Sequence, residues 1–189
     1  MVNKNSSSLT DIDPITETRL KLVYPDLAKR WRRVNEDMIT LHSRPMRVAD
    51  GIRSMATQWI YWCKGRRLTS TGAWVIEDQS AVVTYAEPGE SLHHYGLALD
   101  TVFLGKDPYL KNFRRSFRER MFGEFGRIAK FHGLDWAGDW KGKKKELGHC
   151  EKRYGLSLVE IRALYVIKGD TSVLWAKCDQ YLKEVGGMS

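Results

Sequence analysis

Cysteine is scarce in this 189-residue chain: Cys63, Cys150 and Cys178 are widely spaced and never form a CxxC. An odd, scattered set does not build a disulfide framework, which implies reduced thiols and synthesis in a cytoplasm. Long apolar runs are missing as well. No window approaches the roughly 18 consecutive apolar residues of a membrane-spanning helix. The opening MVNKNSSSLTDIDP has no apolar stretch after its lysine, so a secretory signal is not expected. Acidic residues are outnumbered, with Asp+Glu 23 against Lys+Arg 31, a net charge of +8 and a pI near 9.4. That deficit favours polyanionic partners such as nucleic acid, an anionic membrane or an acidic wall polymer, and says nothing about fold. What is present is ordinary: 42% hydrophobic and 29% charged residues exclude collagen-like, low-complexity and wholly disordered chains.

Residues 1–14 are polar and read as a mobile tail, leaving 15–189 as a single domain. From Thr16, apolar Leu20, Val23, Leu27, Trp31, Val34 and Met38 recur at threes and fours, which predicts an amphipathic helix bent near Pro25. A strand is expected at 46–49, a turn at Asp50-Gly51, and a helix from Ile52 to Cys63 with Met55, Ala56, Trp59 and Ile60 on its apolar face. Val82, Val83 and Tyr85 suggest a second strand and 97–104 a third. A basic helix is expected over 113–131, with Phe113, Phe117, Met121, Phe125 and Ile128 on one stripe and Gly133 stopping it. Helices close the chain at 156–167, where Ser157 and Glu160 fit a capping box, and at 171–185. Strands in the middle with helices on both sides predict an α+β fold, read as a small central antiparallel sheet with flanking helices.

Two segments carry chemistry. In SLHHYGLALD, residues 91–100, Gly96, Ala98 and Asp100 alternate, so on a strand they share one face that is bare except for the carboxylate. Either this lines a pocket, with His93 and Asp100 as ligands, or it is a core strand ending in a hydrogen-bonded Asp. In WAGDWKGKKKELGHCE, residues 136–151, His149 follows Glu146 by three residues. Two His and one Asp suit a catalytic zinc, because three protein ligands leave the fourth position for water. Zinc lowers that water's pKa from 15.7 to about 7, and Glu146 could then take its proton. The competing reading makes KGKKKE a solvated loop and Glu146 half of a surface ion pair. Cys150 is a further conceivable ligand. It would point away from His149 on a strand, whereas Glu151 would share that residue's face and could orient it.

The combination resembles the zinc peptidases of peptidoglycan that include D-Ala-D-Ala carboxypeptidases and dipeptidases. It is most similar to their phage branch, the L-alanyl-D-glutamate endopeptidases that serve as endolysins. DGIRSMATQ at 50–58, PGESLHHYGLALD at 88–100, DWAGDW at 135–140 and ELGH at 146–149 carry the resemblance, which spans about residues 45–165. It implies one zinc per chain on His93, Asp100 and His149, with Glu146 as the base. It also implies a substrate carboxylate on Arg53, with Ser91 beside it. His94 would be a supporting or surface residue, and Trp136 and Trp140 would wall the cleft or fill core. The sequence departs from the family in three places: Ala137 where a glycine is usual, Glu146 where the base is often Asp, and Lys143 to Lys145 where an aromatic is usual.

The implied activity is zinc-dependent hydrolysis of the L-Ala–D-Glu amide of the peptidoglycan stem, lysing bacterial walls. The expected protein is a monomer without a stable protein partner, without nucleic acid and without a membrane span. It would be made in a host cytoplasm, be released through a holin and act on the wall. The length leaves no room for a separate wall-binding domain, and residues 168–189 extend past the match. Alternatives are a D-Ala-D-Ala carboxypeptidase of the same superfamily, a wall binder without activity, or a basic nucleic-acid-binding protein using KNFRRSFRER at 111–120.

Overall fold

The computed structural model describes residues 13–142 and 145–186. The chain divides into two compact units. One comprises the described residues up to Gly51 together with Ala98–Lys152, and the other Ile52–Leu97 with the described residues from Arg153 onward. The class is α+β, with six α-helices and a four-stranded antiparallel sheet among the described residues.

The first unit opens with α1, Pro14–Leu20. Asp13 caps it by accepting from the Ile15 N–H at 3.2 Å and from the Thr16 hydroxyl, and Pro14 takes the first helical position, where no N–H is needed. The expected tail therefore ends before Asp13, and its other residues lie outside the described ones. The predicted bent helix is two helices. Pro25 starts α2, Pro25–His42, and residues 21–24 break the path because a residue before proline avoids helical backbone. The six apolar positions of the sequence pattern are all buried. Side chains as completely covered as Leu27, Trp31, Val34 and Met38 contribute roughly 1.5–3 kcal/mol each.

Strands β1 (Met46–Asp50), β4 (Ala98–Phe103), β5 (Asp135–Trp136) and β6 (His149–Glu151) make the sheet in the order β1-β4-β6-β5. Helix α4, Arg115–Phe131, packs on α2 and buries Met121, Phe125 and Ile128. Phe113 and Phe117 of the predicted stripe lie at the surface side, stacked on each other at 5.0 Å. The basic segment 111–120 is helical only from Arg115, and its Arg115 pairs with Glu119 at 2.7 Å on an exposed face.

Register is what this sheet contributes to chemistry. Asp100 lies opposite Asp50 on β1 and opposite His149 on β6, while Ala98 lies opposite Glu151. Cross-strand partners share a face, so Asp100, His149 and Glu151 project to the same side. Gly148 fixes the approach: a Cβ there would collide with the Thr101 carbonyl oxygen, and the Gly148 carbonyl accepts the Thr101 N–H at 2.8 Å. Gly96 is not on the strand as expected. It ends a 3-10 turn at 92–95 in left-handed backbone, φ 67°, which the missing Cβ permits.

The second unit holds α3 (Met55–Cys63), the hairpin β2 (Arg66–Leu68) and β3 (Trp74–Ile76), α5 (Leu158–Val166) and α6 (Ser172–Gly186). The strand expected at Val82, Val83 and Tyr85 is irregular chain, and the hairpin was not predicted. Helix α3 forms, but its apolar face is turned outward: Ile52, Met55, Trp59 and Ile60 are exposed, and Gln58 and Trp62 are the buried positions. Trp59 stacks on Trp62 at 5.3 Å, and Trp74 of the hairpin meets both edge-on at 5.5 Å. The capping box on α5 is present with both its hydrogen bonds. Tyr95 ties the unit together. Its hydroxyl donates to the Gly89 carbonyl at 2.8 Å, its ring meets Tyr165 at 5.3 Å, and its carbonyl accepts the Trp175 indole N–H at 2.9 Å.

All three cysteines are free. Among the described residues, no helix is long and apolar enough to cross a membrane.

Candidate metal centre and active site

His93, Asp100 and His149 each offer one ligand atom, and these atoms lie within 4.8 Å of one another. It is the one such cluster of His, Cys, Asp and Glu found among the described residues. Both histidines are buried and Asp100 is partly covered. Two imidazoles and a carboxylate, shielded from bulk water, are a donor set that suits zinc.

The local structure around His149 is specific. Its Nδ1 lies 2.9 Å from Asp100 Oδ1, and its Nε2 lies 3.1 Å from Glu151 Oε2. Burial opposes charge on this imidazole, but the hydrogen bonds to the two carboxylates outweigh it and raise the pKa to about 10. Without a metal, His149 is therefore a cation held between two carboxylates. A group whose pKa rises on folding stabilises the protein fully below its unfolded value, about 6.5, and that contribution is lost as pH climbs through the folded value. The chelator-treated protein should thus lose denaturation midpoint between pH 6.5 and about 10. The His149→Gln variant should lack this component, and equal slopes for the two proteins would refute the ion-pair account.

Cys150 is on the opposite face of β6 and fully buried, and burial and the charges of Asp100 and Glu151 push its thiol up.

Glu146 sits on the exposed loop before β6, and its charge acts on His149. The loop is pinned from both sides. The Glu146 N–H donates to the Ala137 carbonyl at 3.2 Å, and the Trp136 indole N–H donates to the Leu147 carbonyl at 2.8 Å. Ala137 serves this loop through its backbone carbonyl. The half-buried Trp136 ring covers Gly126 and Gly138, where any Cβ would collide with it. Trp140 is different. It is partly exposed, and its ring lies 5.3 Å from that of His149. Asp139 is engaged with Lys130 at 2.6 Å.

Arg53, Ser91, His93 and His94 come together in the second unit. The Arg53 N–H donates to the His93 carbonyl at 3.1 Å, and His94 Nδ1 lies 2.8 Å from the Arg53 carbonyl, which requires the proton on Nδ1. Burial lowers the His94 pKa, keeping it neutral in that role. His94 is thus a buried clamp, not a surface residue. Ser91 starts the turn that carries His93 and is itself nearly buried. The Arg53 guanidinium donates to Gln58 Oε1 at 3.0 Å and lies over the Tyr61 ring at 5.1 Å. Gln58 and Tyr61 were not singled out from sequence. An amide's hydrogen bonds leave no spacing signature.

Residues 84–152 match the family model described as D-alanyl-D-alanine carboxypeptidase. The matched segment contains Ser91, His93, Asp100, Glu146 and His149, and Arg53 precedes it. The chain is also 33% identical over 113 residues to the peptidoglycan L-alanyl-D-glutamate endopeptidase CwlK of Bacillus subtilis (strain 168). That alignment covers 55% of this chain and 58% of CwlK, so the chain spans a little over half the length of this curated relative. Among solved structures, the L-Ala D-Glu endopeptidase ChiX of Serratia marcescens aligns over 79% of this chain and 91% of that one, with a TM-score of 0.49 and 18% identity.

Proposed function

We propose that the protein is a zinc peptidase that hydrolyses the L-Ala–D-Glu amide of the peptidoglycan stem. The observation that carries this reading is the His93, Asp100 and His149 cluster with Glu146 on the adjoining loop. In this reading the three residues hold zinc. His149 would use Nδ1, on the Asp100 side, while Nε2–H donates to Glu151, which orients the ring and raises its basicity. When bound, the metal supplies a Lewis acid and an acidified water. Glu146 accepts a proton from the attacking water and returns it to the leaving amine. Arg53 receives the free α-carboxylate of D-Glu, next to the scissile nitrogen, as a planar fork matched to two carboxylate oxygens. Ser91 starts the chain turn that carries His93, and Trp140 flanks the His149 side.

The lytic role, release through a holin and a phage setting belong to the same proposal and rest on the resemblance to the phage branch. The family description favours one second reading, a D-Ala-D-Ala carboxypeptidase. Mass spectrometry of purified peptidoglycan digested by the protein distinguishes the two. The expected products carry a new D-Glu amino terminus, with L-Ala left on the glycan, and none form with chelator present. Release of free D-Ala alone would establish the carboxypeptidase instead.

A further inference from the structure

Residues 106–120 lie wholly within the first unit and carry six basic residues against two acidic ones. The two acids are engaged locally. Asp107 accepts the backbone N–H groups of Lys111 and Asn112 at 2.9 and 2.7 Å, and Glu119 pairs with Arg115 at 2.7 Å. Lys111, Arg114 and Arg120 are exposed, and none of them meets a carboxylate among the described residues. Apolar surface is interleaved with this charge. Tyr109 is 52% exposed and Phe113 45%, and Leu104, just before the segment, is open as well. Each ring is topped by a cation: Lys111 over Tyr109 at 5.5 Å, Arg44 over Phe113 at 5.8 Å, and Arg44 and Arg120 over Phe117 at 5.5 Å. The surface is also held in shape. The Phe103 N–H donates to the Pro108 carbonyl at 3.0 Å, the Leu104 N–H donates to the Pro45 carbonyl at 2.8 Å, and Leu110 is buried beneath. A partner therefore need not pay to order this loop.

We propose that this surface, residues 106–120 with Arg44, docks the protein on a lipid bilayer that contains anionic phospholipid. The proposal is independent of the reading of the metal site. Charge complementarity supplies the attraction, because basic side chains close to an anionic leaflet are each drawn to it. Arginine forks suit phosphate oxygens. The aromatic residues decide between polyanions. A single-stranded nucleic acid stacks its bases on bare ring faces. Here Phe113 stacks on Phe117 at 5.0 Å, and cations top both rings. Duplex phosphates would engage the cations but leave the open apolar side chains in water. A bilayer interface uses both: charged heads stay at the phosphates while Tyr109, Phe113 and Leu104 reach the acyl boundary.

The test is co-sedimentation of the full chain with large unilamellar vesicles, either an equal mixture of phosphatidylglycerol and phosphatidylcholine or phosphatidylcholine alone. The wild type should bind the mixed vesicles and not the neutral ones, and more weakly as salt rises. Arg114→Gln should weaken binding about fivefold, the worth of one cation at such a surface. Lys111→Glu/Arg114→Glu/Arg120→Glu should weaken it about a hundredfold or more. Tyr109→Ser/Phe113→Ser keeps every charge and should still lose about tenfold, a change that a purely electrostatic contact would not show. Thermal melts check folding, and Arg114→Gln, which alters one exposed side chain, carries the charge test if the triple variant does not fold. Equal binding to both vesicle types, no binding to either, or full binding by Tyr109→Ser/Phe113→Ser would overturn the proposal. So would binding to duplex DNA or to purified sacculi that is tighter than vesicle binding at the same salt and is lost in the triple variant. The surface would then belong to nucleic acid or to the wall.

Discussion

Glu146→Gln is expected to cut stem-peptide hydrolysis by about 10²–10⁴-fold, the usual size of a general acid–base contribution. The substitution keeps the side chain's shape and removes its ability to accept a proton. The loop should stay in place, because it is held by backbone and by a neighbouring tryptophan: the Glu146 N–H on the Ala137 carbonyl, and the Trp136 indole on the Leu147 carbonyl. Exposure matters here as well. Glu146 lies on an open loop, where water and substrate can reach it, whereas Glu151 is buried and spent on His149. Metal content measured by plasma mass spectrometry should match the wild type, so that the loss falls on kcat. A fully active Glu146→Gln enzyme would remove Glu146 from the mechanism. Asp139, in its ion pair with Lys130, would then be tested after Glu151.

Replacing His93, Asp100 or His149 by alanine should strip the protein of the one zinc expected per chain and abolish activity. The three positions are not equal in their side effects. Asp100 and Glu151 both face His149, so Asp100→Ala leaves a buried imidazole with one carboxylate instead of two. Uncompensated buried groups are costly, so this variant should also melt lower than the wild type when both are metal-free. Glu151→Gln provides the graded control. It retains all three ligands, weakens the hold on Nε2–H, and should lower metal affinity by about 10–100-fold. Competition with a chelating dye measures each value. Full zinc affinity in the triple alanine variant would show that the ligands lie elsewhere.

The parts of this molecule that were legible in its sequence are those where one physical rule acts alone. Leu20 to Met38 recur at helical spacing and are all buried, because a helix that lies on a sheet needs just such a stripe. The same rule misled at α3. Periodicity reports that Ile52, Met55, Ala56, Trp59 and Ile60 share a face, but not whether anything covers it, and the structure leaves that face in solvent. Hairpin β2–β3 escaped because each strand has three residues, too few for alternation to register. β6 is as short, yet its residues could be singled out, since metal and proton chemistry accept few residue types and His149 and Glu146 are among them. Trp136 was ambiguous for the opposite reason. A tryptophan beside glycines fits a cleft as well as a core, and spacing does not report that its ring packs on Gly126 and Gly138.

The pairing of Asp100 with His149 has an evolutionary consequence. It joins residues 49 apart in sequence by a direct cross-strand contact. Everything between them is, in polymer terms, one long closed loop. Doubling the length of such a loop costs only about 0.6 kcal/mol, so lineages can lengthen or shorten exposed turns such as Gly105–Lys106 and Lys141–Gly142 with little penalty. Shifting β6 by a single residue is another matter. It would exchange His149 for Cys150 or Gly148 opposite Asp100 and turn the histidine to the other face. Length in the exposed turns of this segment is free to drift, whereas phase is not, and Gly148 against the Thr101 carbonyl is the point where the phase is held.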